Sequence, residues 1–163
     1  MIAIEPIITE VRESAGLVSD SSIVWITAIE RGLTIDVDPD QLFRVLLNLV
    51  RNAAQALRSD SVSATATKQI RITGRREGAV AIIEVSDTGP GVPKKARAHL
   101  FEPFQGSSRD GGTGLGLVIA AELVRAHGGD MNLVEGTLGA TFRFTIPDRP
   151  VELHSVRSER ARA

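Results

Sequence analysis

Apolar residues recur along this chain at two spacings, and the switches between them mark its elements. Ile4, Ile7, Ile8, Val11 and Ala15 fall at helical intervals, which predicts a helix from Pro6 to Leu17. Ser22 to Ile29, SIVWITAI, alternates and is rich in β-branched residues, so it predicts a strand ended by Gly32; Leu33 to Val37 predicts a shorter one. The longest helical pattern is Leu42 to Leu57, LFRVLLNLVRNAAQAL, introduced by Asp38-Pro39-Asp40, a carboxylate and a proline suited to a first turn. Arg58 to Lys68 is small, polar and aperiodic, hence a loop. Ile70 to Gly74 and Ala79 to Ser86 alternate as strands, with Arg75 to Gly78 short enough for a hairpin turn. Glycine and proline then dominate a long connection that leaves room for one turn of helix around Lys94 to Leu100. Leu115 to His127, stopped by Gly128-Gly129, predicts a helix, and Met131 to Val134 with Thr141 to Ile146 a closing hairpin around Glu135 to Ala140. This order describes an α+β fold: a two-layer α/β sandwich whose mixed, mostly antiparallel sheet carries about three helices on one face.

The central helix is apolar over more than half its circumference, and its remaining stripe holds Gln41, Arg44, Asn48, Asn52 and Gln55. Two asparagines one turn apart need partners, because a dry, unpaired amide group costs on the order of 1–3 kcal/mol. Such a stripe faces water or a ligand.

A chain of 163 residues with 42% apolar side chains is long enough for one domain, assigned to residues 1–147. The segment 148–163 carries four arginines and little apolar material, so it is expected to be loosely ordered. Nineteen basic and 20 acidic residues leave a net charge of −1, which gives no field to hold a nucleic acid. No apolar run approaches the roughly 18 residues of a membrane span, so no direct membrane contact by this segment is expected. Without cysteine there is no disulfide, thiolate metal site or thiol nucleophile, and His99, His127 and His154 are too scattered for a ligand cluster.

Two glycine-rich segments carry the candidate chemistry. Asp87-Thr-Gly89-Pro-Gly91 follows a strand, so its carboxylate is held by a rigid element; an ionised Asp accepts, an exocyclic amine donates, and glycines let backbone approach a flat ring. Gly112-Thr113-Gly114-Leu115-Gly116 opens a helix, where backbone N–H groups and the helix terminus suit an anion such as a triphosphate. Gly106 and Gly111 lack the lysine of a P-loop, and no G-x-G-x-x-G follows a strand, so neither a Walker nor a Rossmann site is supported.

Taken in order, Asn48 and Asn52 on a helix, D-x-G-x-G after a strand, Phe101-Glu-Pro-Phe104, and G-x-G-x-G at a helix start resemble the N, G1, F and G2 boxes of the histidine-kinase catalytic domain. That superfamily also holds DNA gyrase, the heat-shock chaperone and the mismatch-repair ATPase, and the resemblance spans Ile4 to Pro147. It implies the Bergerat fold and a site for ATP with Mg²⁺. Asp87 would take the adenine amine, with Thr141 as a water-mediated neighbour and Gly89 and Gly91 lining the base. Asn52 and Asn48 would hold Mg²⁺ against the phosphates, and Val92, Leu100 and Leu117 would wall the ring. Gly112, Thr113, Gly114, Leu115 and Gly116 would meet the phosphates. Phe104 to Gly111 would form a lid from which Arg109 reaches a phosphate, while Phe101 and Phe104 anchor its stem. Gln55 stands where many relatives have lysine, so one phosphate contact is weakened or supplied elsewhere. Hydrolytic relatives carry a water-activating glutamate where this chain has Asn48, which cannot act as a base. The implied activity is therefore transfer of the γ-phosphate to a histidine on a separate dimerisation hairpin, itself absent from this sequence, with a downstream response regulator as second partner. A cytoplasmic location, a homodimeric and membrane-anchored parent, and a fragment of that parent are the matching expectations. The competing expectation is an ATP-binding sensor or docking module that transfers no phosphate.

Overall fold

The structure is a computed structural model that describes residues 1–59, 66–103 and 114–150. In chain order the elements are β1 (Ile2–Ala3), α1 (Glu5–Ser14), β2 (Ile23–Ile29), β3 (Thr34–Ile35), α2 (Pro39–Leu57), β4 (Lys68–Glu77), β5 (Val80–Asp87), α3 (Lys94–Arg97), α4 (Gly116–Ala126), β6 (Asp130–Leu133) and β7 (Thr141–Pro147). Five strands form one sheet in the order β2-β4-β5-β7-β6, antiparallel except where β2 runs parallel to β4. Helices α1, α2 and α4 cover one face, which makes the two-layer α+β sandwich expected of the sequence.

Alternation explains which face is covered. Ile70 and Ile72 on β4, Ala81, Ile83 and Val85 on β5, and Phe142, Phe144 and Ile146 on β7 are all buried against the helices. Most intervening positions point away and are polar, the buried Ile82 on β5 excepted: Arg143 Nε donates to Glu84 Oε1 at 2.7 Å across the outer face. Against this apolar surface α2 buries Leu42, Val45, Leu46, Leu49, Val50, Ala53, Ala54 and Leu57. Asp38 caps it by accepting from Gln41 N at 3.0 Å, with Pro39 in the first turn as anticipated. His127 is structural: Nε2 accepts from Asp38 N at 3.3 Å while Nδ1, 2.9 Å from the Leu123 carbonyl oxygen, donates to it. One imidazole thus ties the end of α4 to the start of α2.

Several local expectations shift. Helix α1 stops at Ser14, three residues short of the predicted end, because Gly16 (φ +71°) turns the chain. Strand β4 continues to Glu77, so the hairpin turn is the pair Gly78-Ala79, with Gly78 at φ +59°, rather than Arg75 to Gly78. The predicted strand Leu33 to Val37 contracts to Thr34–Ile35 and pairs with β1, a two-residue strand too short to register in the hydrophobic pattern. Residues 151–163, most of the anticipated loose tail, lie outside the described residues, as does most of the loop after Arg58.

Candidate functional site

Strand β5 delivers Asp87 to the end of the sheet with its carboxylate on the helix-facing side, in line with the buried Ile83 and Val85. Thr88 locks this end in place: its backbone N–H donates to the Gln69 carbonyl oxygen, and its Oγ1 accepts from Gln69 N and donates to the Thr67 carbonyl oxygen at 2.8 Å. Asp87 is only 6% exposed. Its backbone N–H donates to the Ala140 carbonyl oxygen at 2.9 Å, and Oδ1 accepts from Gly89 N at 2.8 Å. Among the described residues Oδ2 has no hydrogen-bond partner. Burial pushes the carboxyl pKa above its ordinary value of 3.8, and the backbone N–H groups of Gly89 and Ala140 oppose that rise.

Glycines are required around this carboxylate by sterics alone. A Cβ at Gly139 would lie 1.9 Å from the Asp87 carbonyl oxygen and 3.2 Å from Oδ1. At Gly89 it would meet Oδ1 at 2.8 Å and the Ala56 Cβ at 3.2 Å. Gly91, at φ +78°, adopts a backbone that other residues rarely take and packs on the Gly139 carbonyl oxygen.

Ala56 is also the end of a stripe along α2. Asn52 lies one turn before it and Asn48 two turns before, about 12 Å along the axis. Asn48 Nδ2 donates to the Arg44 carbonyl oxygen at 2.9 Å, and its Oδ1 faces the start of α4, where a Cβ on Gly116 would approach it to 3.2 Å. Asn52, half-buried, has no side-chain hydrogen bond among the described residues. Gln55 is exposed one residue before Ala56. The stripe therefore connects the Asp87 cradle at one end with the α4 terminus at the other, and that terminus includes Gly114 (φ +67°) and Leu115.

Val92, Leu100, Phe101 and Leu117 are half-buried and pack on the core. Phe101 meets Phe142 edge to face at 6.4 Å between ring centroids, which packs it on β7. Thr141 is not brought to the carboxylate. Register pairs it with Ser86, to whose Oγ it donates at 3.0 Å, on the sheet face opposite Asp87. Ala140 occupies the position beside Asp87 instead, a consequence of the two-residue period that spacing from the turn did not reveal. Gly139 and Ala56 were likewise missed; the glycines of Gly136-Thr-Leu-Gly139 were legible as a turn but not as a wall. Arg109, Gly112, Thr113 and Phe104 lie outside the described residues. Among the described residues no three His, Cys, Asp or Glu side chains converge as a metal site, and no helix is long and apolar enough to cross a membrane.

A strand-end carboxylate in a glycine cradle is thus joined by an asparagine stripe to a helix start. Residues 37–150 match the family described as histidine kinase-, DNA gyrase B- and HSP90-like ATPase, and the chain belongs to it. It is 41% identical over 116 residues to the sensory histidine kinase/phosphatase NtrB of Escherichia coli O157:H7, covering 69% of this chain and 33% of that protein. Against NtrB of Rhodobacter capsulatus it is 32% identical over 160 residues, covering 93% and 44%. The chain thus spans between a third and a half of these relatives' length. Among solved structures, the nucleotide-free catalytic domain of histidine kinase ThkA superposes with a TM-score of 0.73 at 27% identity, covering 91% of this chain and 97% of that one. Full-length ShkA in complex with AMPPNP gives 0.70 at 32%, covering 90% and 30%.

Proposed function

We propose that this domain binds Mg-ATP in the cleft between Asp87 and the α4 terminus and presents the γ-phosphate to a histidine on a separate helical hairpin. The observation that carries the reading is the buried Asp87 carboxylate, with Oδ2 open and three glycines holding space beside it. Oδ2 would accept from the adenine amine, and Gly89, Gly91 and Gly139 leave room for the ring. Val92, Leu100 and Leu117 would flank the base. Asn52, half-buried on the stripe and with no side-chain hydrogen bond among the described residues, fits a Mg²⁺ ligand through its neutral amide oxygen, with phosphate and water oxygens completing the shell. Asn48 would contribute less directly, because its amide N–H is already given to Arg44. Gly112 to Gly116 would meet the phosphates with backbone N–H groups, with Arg109 and Gln55 as further polar contacts. Mg²⁺, when bound, neutralises phosphate charge. No side chain on the stripe can take a proton near neutral pH, so the chain's own contribution is placement and charge complementarity rather than activation of water. The AMPPNP complex of ShkA supports the nucleotide, and the NtrB relatives, named sensory histidine kinase/phosphatases, support a histidine-kinase role.

Asp87→Asn tests the base site. Calorimetry should show ATP affinity reduced by at least about 100-fold, or about 2.7 kcal/mol, with circular dichroism unchanged. Unaltered affinity would remove the assignment. Mixing the domain with labelled ATP and a histidine-bearing hairpin tests transfer: an acid-labile labelled product supports the kinase, whereas tight ATP binding without product identifies a nucleotide-dependent docking module.

A further inference from the structure

The asparagine stripe and the α4 terminus belong to two helices, so the proposed phosphate end exists only where their register brings Asn48 to Gly116. Little along the contact itself sets that register. Helix α4 buries Ala120, Ala121 and Val124, and its main partner in the helical layer is α2. Two methyl groups and one valine give α2 few ridges to lock into, and faces so shallow oppose axial sliding only weakly. No side chain caps the start of α4 either: Leu115 holds the N-cap position without a side-chain hydrogen bond.

The far end of α4 is held more firmly. Gly129 N donates to the Val124 carbonyl oxygen at 3.0 Å, and a Cβ at Gly129 would collide with the Thr145 carbonyl oxygen, so the turn is pressed onto β7. Asp130 N then donates to Thr145 Oγ1 at 3.2 Å. From this anchored turn the half-buried imidazole of His127 reaches across to α2. Nδ1 donates to the Leu123 carbonyl oxygen within α4, which leaves Nε2 as an acceptor, and Asp38 N, at the cap of α2, donates to it. That bond needs one tautomer, because a proton on Nε2 would set two donors face to face. Helix α2 runs ten residues from Asp38 to Asn48 and α4 eleven from Gly116 to His127, roughly 15 and 16.5 Å at about 1.5 Å per residue. These spans match, so the two helices run antiparallel with one contact at each end.

We infer that His127 is a positioning residue for the proposed cleft: its neutral imidazole, protonated on Nδ1, pins α4 to the cap of α2 and so fixes where the α4 terminus stands against the asparagine stripe. The role rests on the reading of the cleft as a nucleotide site, whereas the pin is a property of the ligand-free chain. Two substitutions separate the two hydrogen bonds. In His127→Gln the Oε1 takes the place of Nε2 and accepts from Asp38 N; in His127→Asn the Nδ2 takes the place of Nδ1 and keeps only the bond to Leu123. Two-bond nitrogen–proton correlation spectra of the parent chain should show the Nδ1–H tautomer at His127. Without nucleotide, hydrogen exchange at Ile119, Ala120 and Ala121 should be about tenfold faster in His127→Asn and within about twofold of the parent in His127→Gln. ATP affinity by calorimetry should follow the same order, about fivefold weaker in His127→Asn and near the parent value in His127→Gln. An Nε2–H tautomer, or exchange in His127→Asn equal to that of the parent, would overturn the inference. So would equal losses in the two variants, which would make packing of the side chain rather than its bond to Asp38 the cause. Faster exchange with unchanged ATP affinity would overturn the positioning role. If the parent chain itself binds no ATP, the reading of the cleft fails, while the tautomer and the exchange comparison, both measured without nucleotide, still decide on the pin.

Discussion

The two ends of the proposed nucleotide cleft, its proposed base and phosphate ends, are built in different ways. At the base end, Asp87 is fixed by neighbouring strands and by glycines so close that one methyl group would collide with its backbone. At the phosphate end, two asparagines one turn apart on the same helix have opposite situations. Asn48 is tied to Arg44 and packed against Gly116, whereas Asn52 makes no side-chain hydrogen bond among the described residues. The base end is thus preorganised by backbone, which needs no ligand to complete it, while the phosphate end keeps one polar group in reserve. An identical residue type on an identical stripe is structural at one turn and available at the next.

The largest expected effect comes from breaking the rigid end. Gly139→Ala puts a methyl 1.9 Å from the Asp87 carbonyl oxygen, so β5 and the β6–β7 turn must separate. We expect a loss of about 3 kcal/mol or more in denaturant unfolding, together with loss of ATP binding. Next is the contrast between the asparagines. Asn52→Ala should weaken ATP about tenfold, or about 1.4 kcal/mol, only when Mg²⁺ is present, with an unchanged melting temperature. Asn48→Ala should instead lower stability by about 1 kcal/mol through the lost Arg44 hydrogen bond. Equal behaviour of the two variants in both assays would erase the distinction between tied and available amides.

The smallest effect is a pH dependence whose sign separates the cleft from the surface. Because the native pKa of Asp87 is raised above 3.8, the folded state holds that proton more tightly than the unfolded one. Its contribution to stability is greatest at acid pH and declines as pH rises through the interval above 3.8. Asp20 behaves oppositely. Hydrogen bonds from Ser22 and Arg58 lower it to about 2, so its contribution is present above 3.8 and fades as pH falls toward about 2. Asp36, lowered by Arg149, fades in the same direction. Thermal melts of Asp87→Asn and the parent chain should therefore converge at low pH and separate on the neutral side, where the variant is the more stable. A parent chain more stable than the variant at neutral pH would contradict a buried, desolvated carboxylate.

Much of the fold was readable because its elements bury surface at regular periods. The 3.6-residue pattern of Leu42 to Leu57 and the alternation of Ala79 to Ser86 correspond to α2 and β5 with small shifts at their ends. The two-residue strands β1 and β3 were not readable, since so short a pair has no period to detect. At the site, Asp87 and its glycines stood out because strand, acid and glycine fall in one run of sequence. Thr141 was misplaced because distance along the chain does not reveal which face of β7 a residue takes until register with β5 is known.

What the sequence determined by itself was local: which segments are helix or strand, where a carboxylate follows a strand, and which stripe of α2 is polar. Periodicity and turn chemistry act between near neighbours, so they are written in order along the chain. Only the tertiary structure decided that Gly139 would press on Asp87, that Ala140 rather than Thr141 would stand beside it, and that Asn48 would be occupied while Asn52 was not. Those outcomes depend on strand register and helix approach, which arise from close packing between segments far apart in sequence.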